Sequence, residues 1–147
     1  MNIEIHRLTA ELADDFFDFF DNRAFTDNSP QGPCYCSRFQ MTKEQEKTER
    51  FGQVEACDGG SEGFVRALRQ IAERQIKSGA MQGYLAFIDG VSIGWCNAND
   101  KANFPVESGN GARFHAPAEK REKVVACFEI ARSIAGRALQ ALFCDRS

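Results

Sequence analysis

Residues able to do chemistry fall in three short stretches of this sequence. In KVVACFEI, residues 123–130, Glu129 stands in an otherwise apolar strand, on the face opposite Phe128 and Ile130. A carboxylate in that setting can accept a proton, directly or through a water, and burial raises its pKa. The plainer alternative is a charge-paired structural glutamate. In VSIGWCNAND, Trp95, Asn97 and Asn99 alternate onto one strand face. They could line a substrate pocket. Trp95 suits the core equally well, and the asparagines could serve the turn that follows. In GPCYCSRF, Cys34 and Cys36 flank Tyr35. C-x-C lacks a second ligand pair at a recognised zinc spacing, and Cys57, His6 and His115 stand alone, so no metal is expected. The competing readings of this stretch are a loop folded over an acceptor site, with Tyr35 as a lining residue, and simple packing of small thiols. Cys127 could be proposed as a nucleophile, but its apolar neighbours would keep it protonated and inert.

These residues need elements to hold them. NIEIHRL alternates from Ile3 to Ile5 as a first strand. Thr9 is a candidate N-cap, with Glu11 in the first turn. In ELADDFFDFFDNRAF, Leu12, Phe16, Phe19 and Phe20 recur at helical spacing, while Asp14, Asp15, Asp18 and Asp21 fall largely on the other side. An aromatic stripe of this kind is far more often core than a partner-binding face. TDNSPQGPCYCSRFQMT reads as a loop and KEQEKTERFGQVEACDGG as a weak helix. A second amphipathic helix follows in EGFVRALRQIAERQIKSG, capped by Ser61 and ended by Gly79. Strands are expected at Tyr84–Ile88 and Val91–Ala98, joined by Asp89-Gly90 as a type I′ hairpin turn. A long loop then leads to KVVACFEI, whose near-continuous apolar run predicts a central strand covered on both faces.

The chain has 147 residues, 43% hydrophobic and 27% charged, which suits one globular domain with a real core. The net charge of −3 offers no basic stripe, so nucleic acid is an unexpected partner. No apolar run approaches a membrane span, and MNIEIHRL lacks the pattern of a signal peptide. The six cysteines are therefore expected to be reduced thiols in a cytoplasmic protein.

The order strand, helix, helix, strand, strand, loop, strand resembles the N-terminal two-thirds of the GNAT superfamily of acyl-CoA-dependent N-acetyltransferases. The words FFDNRAFTDN…GPCYCSRF, MQGYLAFIDGVSIGWCNANDKANF and KVVACFEIA carry the resemblance over nearly all of residues 3 to 131. It implies an α/β (α+β) fold, a GNAT-like mixed sheet with flanking helices, of which this chain holds the N-terminal part. It implies acetyl-CoA as donor, a small-molecule or peptide amine as acceptor, and Glu129 as proton acceptor. The backbone at Cys127, Phe128, Ile130 and Ala131 would then serve the pantetheine arm and the thioester carbonyl. The acidic balance mildly suits a cationic amine.

The sequence departs from that family at one place. A glycine-rich phosphate loop should open a helix after the fourth strand. Here CFEIARSIAGRALQALFC gives Arg132-x-x-x-Gly136-x-Ala138, one residue too long. One missing nucleotide after the Ala131 codon accounts for it. With suitable codons, the restored frame reads Ala-Pro-Glu-Tyr-Arg-Gly-Gln-Gly-Ile-Ala, which fits the loop. The expected division is thus a partial acetyltransferase domain at 1–131 and a frameshifted tail at 132–147, with impaired cofactor binding. A non-catalytic interaction domain, pairing through an exposed sheet edge into a homodimer, is the rival expectation.

Overall fold

A computed structural model describes residues 2–27, 33–51, 60–105 and 122–134. Strand β1 spans Glu4–Arg7, and a 3-10 turn at Ala10–Leu12 leads into helix α1, Ala13–Phe19. Thr9 precedes that turn in extended conformation, yet its side chain makes no capping hydrogen bond. A π-helical turn at Phe20–Ala24 extends α1. Phe16, Phe17, Phe19 and Phe20 are all buried, so the aromatic stripe is core. Each is worth about 2 kcal/mol of transfer from water.

Helix α2, Lys43–Gln45, is short and opens with a capping box between Thr42 and Gln45. Helix α3, Gly60–Ser78, buries Ala67, Leu68, Ile71, Ala72 and Ile76. Gly79 ends it in the left-handed region at φ 77°, where its N–H donates to the Ile76 carbonyl. The expected Ser61 cap concerns a side chain outside the described residues, as do Cys57, His115, Cys144 and the tail from 135 onward.

Strands β2, Gly83–Ile88, and β3, Val91–Asp100, meet at Asp89-Gly90, with φ of 50° and 76°. Two positive φ values in a two-residue loop are those of the expected type I′ turn. Strand β4 is Lys123–Ile130, and the four strands form an antiparallel sheet in the order β1-β2-β3-β4. Residues of α1 and α3 share one core with Leu85, Phe87 and Trp95, so both helices cover the same sheet face.

The fourth strand departs from expectation. Among the described residues β4 is an edge strand, and Val125 and Phe128 are 61% and 63% exposed. Its sequence is apolar on both faces, as a strand sandwiched by two layers would be. The described elements supply one of those layers.

Candidate functional site

The inner sheet face is organised by cross-strand pairs. Residues directly opposite each other in an antiparallel pair point to the same face. Trp95 lies opposite Glu129, Asn97 opposite Cys127 and Asn99 opposite Val124. Four of the residues singled out from sequence therefore share one neighbourhood. A bulge between Asn97 and Ala98 separates Asn99 from those four.

Each has a different occupation. Trp95 is buried edge-on to Phe16, with ring centroids 5.0 Å apart. Its indole Nε1 has no hydrogen-bond partner among the described residues. Asn97 is fully buried and uses both ends of its amide. Its Nδ2 donates to the Cys36 carbonyl at 3.4 Å, and its Oδ1 accepts from Gln40 at 3.0 Å. It thus ties the Cys34–Gln40 segment to the sheet. Asn99 accepts from the Asp100 N–H and from Asn103 Nδ2 at 2.9 Å, which makes it a turn residue. Burial raises the pKa of Glu129, the direction that suits a proton acceptor working near neutrality.

Tyr35 sits apart from these groups. It is buried between Phe17 and Phe20, and its hydroxyl donates to Asp21 Oδ1 at 2.5 Å. Asp21 also accepts from Arg69 at 3.3 Å, and the Arg69 guanidinium lies 4.1 Å above the Phe17 ring. Burial, then the hydrogen bond to Asp21, pushes the Tyr35 phenol well above its usual value. Tyr35 is thereby a packing residue that locks its loop to α1. The helical spacing had placed Asp21 only on the side away from the aromatic stripe, so this use of it went unseen in the sequence.

Sequence reasoning also missed a grouping of thiols. Cys34 and Cys36 share one tight turn, and Cys127 lies opposite Asn97, whose amide donates to the Cys36 carbonyl. The hydrogen bond from Cys36 lowers the Cys34 pKa to about 7, against an opposing effect of burial and of the Glu129 charge. Contact with Cys127 and Cys34, together with burial, pushes Cys36 up. Cys34 is the more accessible of the pair and ionises first. Among the described residues no group of three or more His, Cys, Asp or Glu is arranged to hold a metal ion.

The ladder divides the backbone of β4 into two sets. The Ala131 N–H donates to the Ile93 carbonyl at 2.8 Å. Antiparallel pairing alternates along a strand, so Cys127 and Glu129 also turn their polar groups toward β3. Phe128 and Ile130 turn theirs toward the outer edge.

The outer sheet face carries a groove of about 440 Å³, lined by Ile3, Ile5, Tyr84, Cys96, Phe128 and Ile130 among others. Its lining is almost wholly apolar. Among the described residues, no helix is long and apolar enough to cross a membrane.

No family model matches this chain, and neither curated proteins nor solved structures yield a match.

Proposed function

We propose that this chain carries the N-terminal part of a GNAT-like N-acetyltransferase fold, built to move an acetyl group from acetyl-CoA to an amine. The observation that carries this reading is the outer edge of β4. Phe128 and Ile130 present backbone N–H and C=O groups there, and the chain turns helical directly afterwards, at Arg132–Ile134. An extended amide chain such as pantetheine can pair with such an edge as an added strand does. A donor on the same edge can polarise a thioester carbonyl. Glu129 is the proton acceptor for the incoming amine in this reading.

The outer face, bare among the described residues, supports the same reading. A helix following β4 is the element that would cover the groove, and Ile134 already lines it. Arg132 is engaged by Asp27 in an ion pair, which leaves it less free to meet a phosphate. The chain as it stands is therefore expected to bind CoA weakly.

The deciding experiment sequences the gene from the Phe128 codon past the stop and then measures CoA binding by calorimetry. The expected alternate frame encodes Pro-Glu-Tyr-Arg-Gly-x-Gly and a Leu-rich helix. The restored protein should bind CoA with a Kd on the order of micromolar, about −8 kcal/mol, and acetylate members of an amine panel. A restored protein that binds no CoA would remove the acetyltransferase reading.

A second reading has its own observation. Ile3, Ile5, Tyr84, Phe128 and Ile130 are large apolar side chains exposed together on one face. Such a patch marks an interaction surface in many proteins. A discrete dimer in sedimentation would favour an interaction domain, and disperse aggregates a disrupted enzyme.

A further inference from the structure

We propose that Cys34 and Cys36 form a thiol redox site, in which Cys34 meets a small disulfide oxidant and Cys36 closes an internal disulfide with it.

The geometry comes from an unusual turn. The Ser37 N–H reaches back to the Cys34 carbonyl at 3.5 Å, and the two central residues, Tyr35 and Cys36, have φ of 50° and 49°. A turn with two left-handed central residues ordinarily uses Asn and Gly. Tyr and Cys occupy it here against their backbone preference. The surroundings enforce it: Asp21 holds the Tyr35 hydroxyl, and Asn97 holds the Cys36 carbonyl. The tight turn keeps two cysteines, two residues apart, in one short segment, one partly exposed and one buried. Strain placed around paired nucleophiles points to use rather than to packing alone.

Cys127 reaches the same spot from β4, opposite Asn97. Cys36 is buried while Cys34 is partly exposed, so a reagent from solvent meets Cys34 first. The two thiols thereby have distinct roles. Cys34 is partly exposed and close to its ionised form at neutral pH, and Cys36 is buried and protonated.

The exchange balances as follows. The Cys34 thiolate attacks one sulfur of a low-molecular-weight disulfide, RSSR. Its S–S bond breaks, a Cys34–SR bond forms and RS⁻ leaves. The Cys36 thiol then gives its proton to solvent and attacks Cys34 Sγ, expelling the second RS⁻. Two protein thiols lose two electrons, and RSSR becomes two RSH. Nothing in this step depends on the acetyltransferase reading.

The test treats the reduced full chain with oxidised glutathione, quenches with acid and maps the products by mass spectrometry. Cys34 should take the first adduct, and the end product should carry a Cys34–Cys36 linkage with no adduct left on either. At pH 7, Cys34 should react with iodoacetamide about threefold faster than an unperturbed thiol. A roughly 16-fold gain in thiolate is partly offset there by lower nucleophilicity. In Cys36→Ala, the glutathione adduct on Cys34 should persist instead of resolving. Adducts spread evenly over the six cysteines, or a Cys36–Cys127 linkage in place of Cys34–Cys36, would overturn the proposal. Both of these readouts come from the unsubstituted chain, so neither depends on whether a variant folds.

Discussion

A single methyl group decides whether β2 can lie against β3 at Gly83. A Cβ there would stand 2.1 Å from the Cys96 carbonyl oxygen and 2.5 Å from the Trp95 ring. Neither neighbour can move, since one is backbone and the other is clamped under Phe16. Gly83→Ala is expected to lower stability by about 3 kcal/mol, read as a fall in the urea midpoint at unchanged slope. Glu129 gives a prediction of the opposite sign. Its pKa is raised in the folded protein above the ordinary 4.5, so the folded state holds its proton more tightly than the unfolded one. The penalty for folding with an ionised Glu129 is thus absent below 4.5 and grows as pH rises through the folded value. Glu129→Gln should therefore be more stable than the parent at pH 7, and the gap should close as pH falls toward 4.5. The same substitution removes a negative charge near Cys34. The alkylation midpoint of Cys34, on which Cys36 and the Glu129 charge act, should move to lower pH. An unchanged midpoint would mean that the Glu129 charge does not act on that thiol.

At the scale of elements, the β2–β3 hairpin and the Cys34–Ser37 turn are both tight turns with two positive φ values, and only one was legible. Asp89-Gly90 carries the residue types that such a turn favours, between two strand-forming runs, so type and position followed directly. Gly90→Ala meets no clash, because nothing lies within 4 Å, but it must hold φ 76°. The expected cost is about 1 kcal/mol, from the backbone alone. Tyr35-Cys36 carries the wrong residue types for its conformation. Long-range hydrogen bonds impose it, one from the Tyr35 hydroxyl to Asp21 and one from Asn97 to the Cys36 carbonyl, and those partners are 14 and 61 residues away in sequence. No local pattern encodes such a constraint. Asn97→Ala should expose it by removing both amide bonds at once. A loss of about 2–3 kcal/mol is expected, together with faster alkylation of Cys36 as the turn loosens. Equal alkylation in parent and variant would show that Asn97 does not hold the turn. The alternation of Trp95, Asn97 and Asn99 was legible because a strand has a fixed period. What each side chain bonds to was not, since that depends on which loop lies above it.

At the scale of the whole molecule, the described residues cover the sheet on one face and leave the other bare. The apolar run of β4 had implied two covers, and the described residues give one, which leaves Phe128 and Ile130 beside Ile3, Ile5 and Tyr84 on an open groove. Apolar area of this kind is hidden by whatever arrives first, including a second copy of the chain. Self-association is therefore expected, with the sedimentation-average mass rising with concentration and with dye binding to exposed apolar surface. Replacing Phe128 by Asp and Ile5 by Lys should abolish both. Because these side chains already face solvent, monomer stability should change by only about 0.5 kcal/mol per site. Association that survives both substitutions would place the contact elsewhere. The acetyltransferase reading adds a sharper demand. If a helix after β4 is the missing cover, the frame-restored chain should be monomeric without any surface substitution, and should gain CoA binding in the same step. A chain that becomes monomeric but stays blind to CoA would have recovered its cover without its site. One that binds CoA yet still self-associates would show that the groove and the cofactor edge are independent features of this sheet.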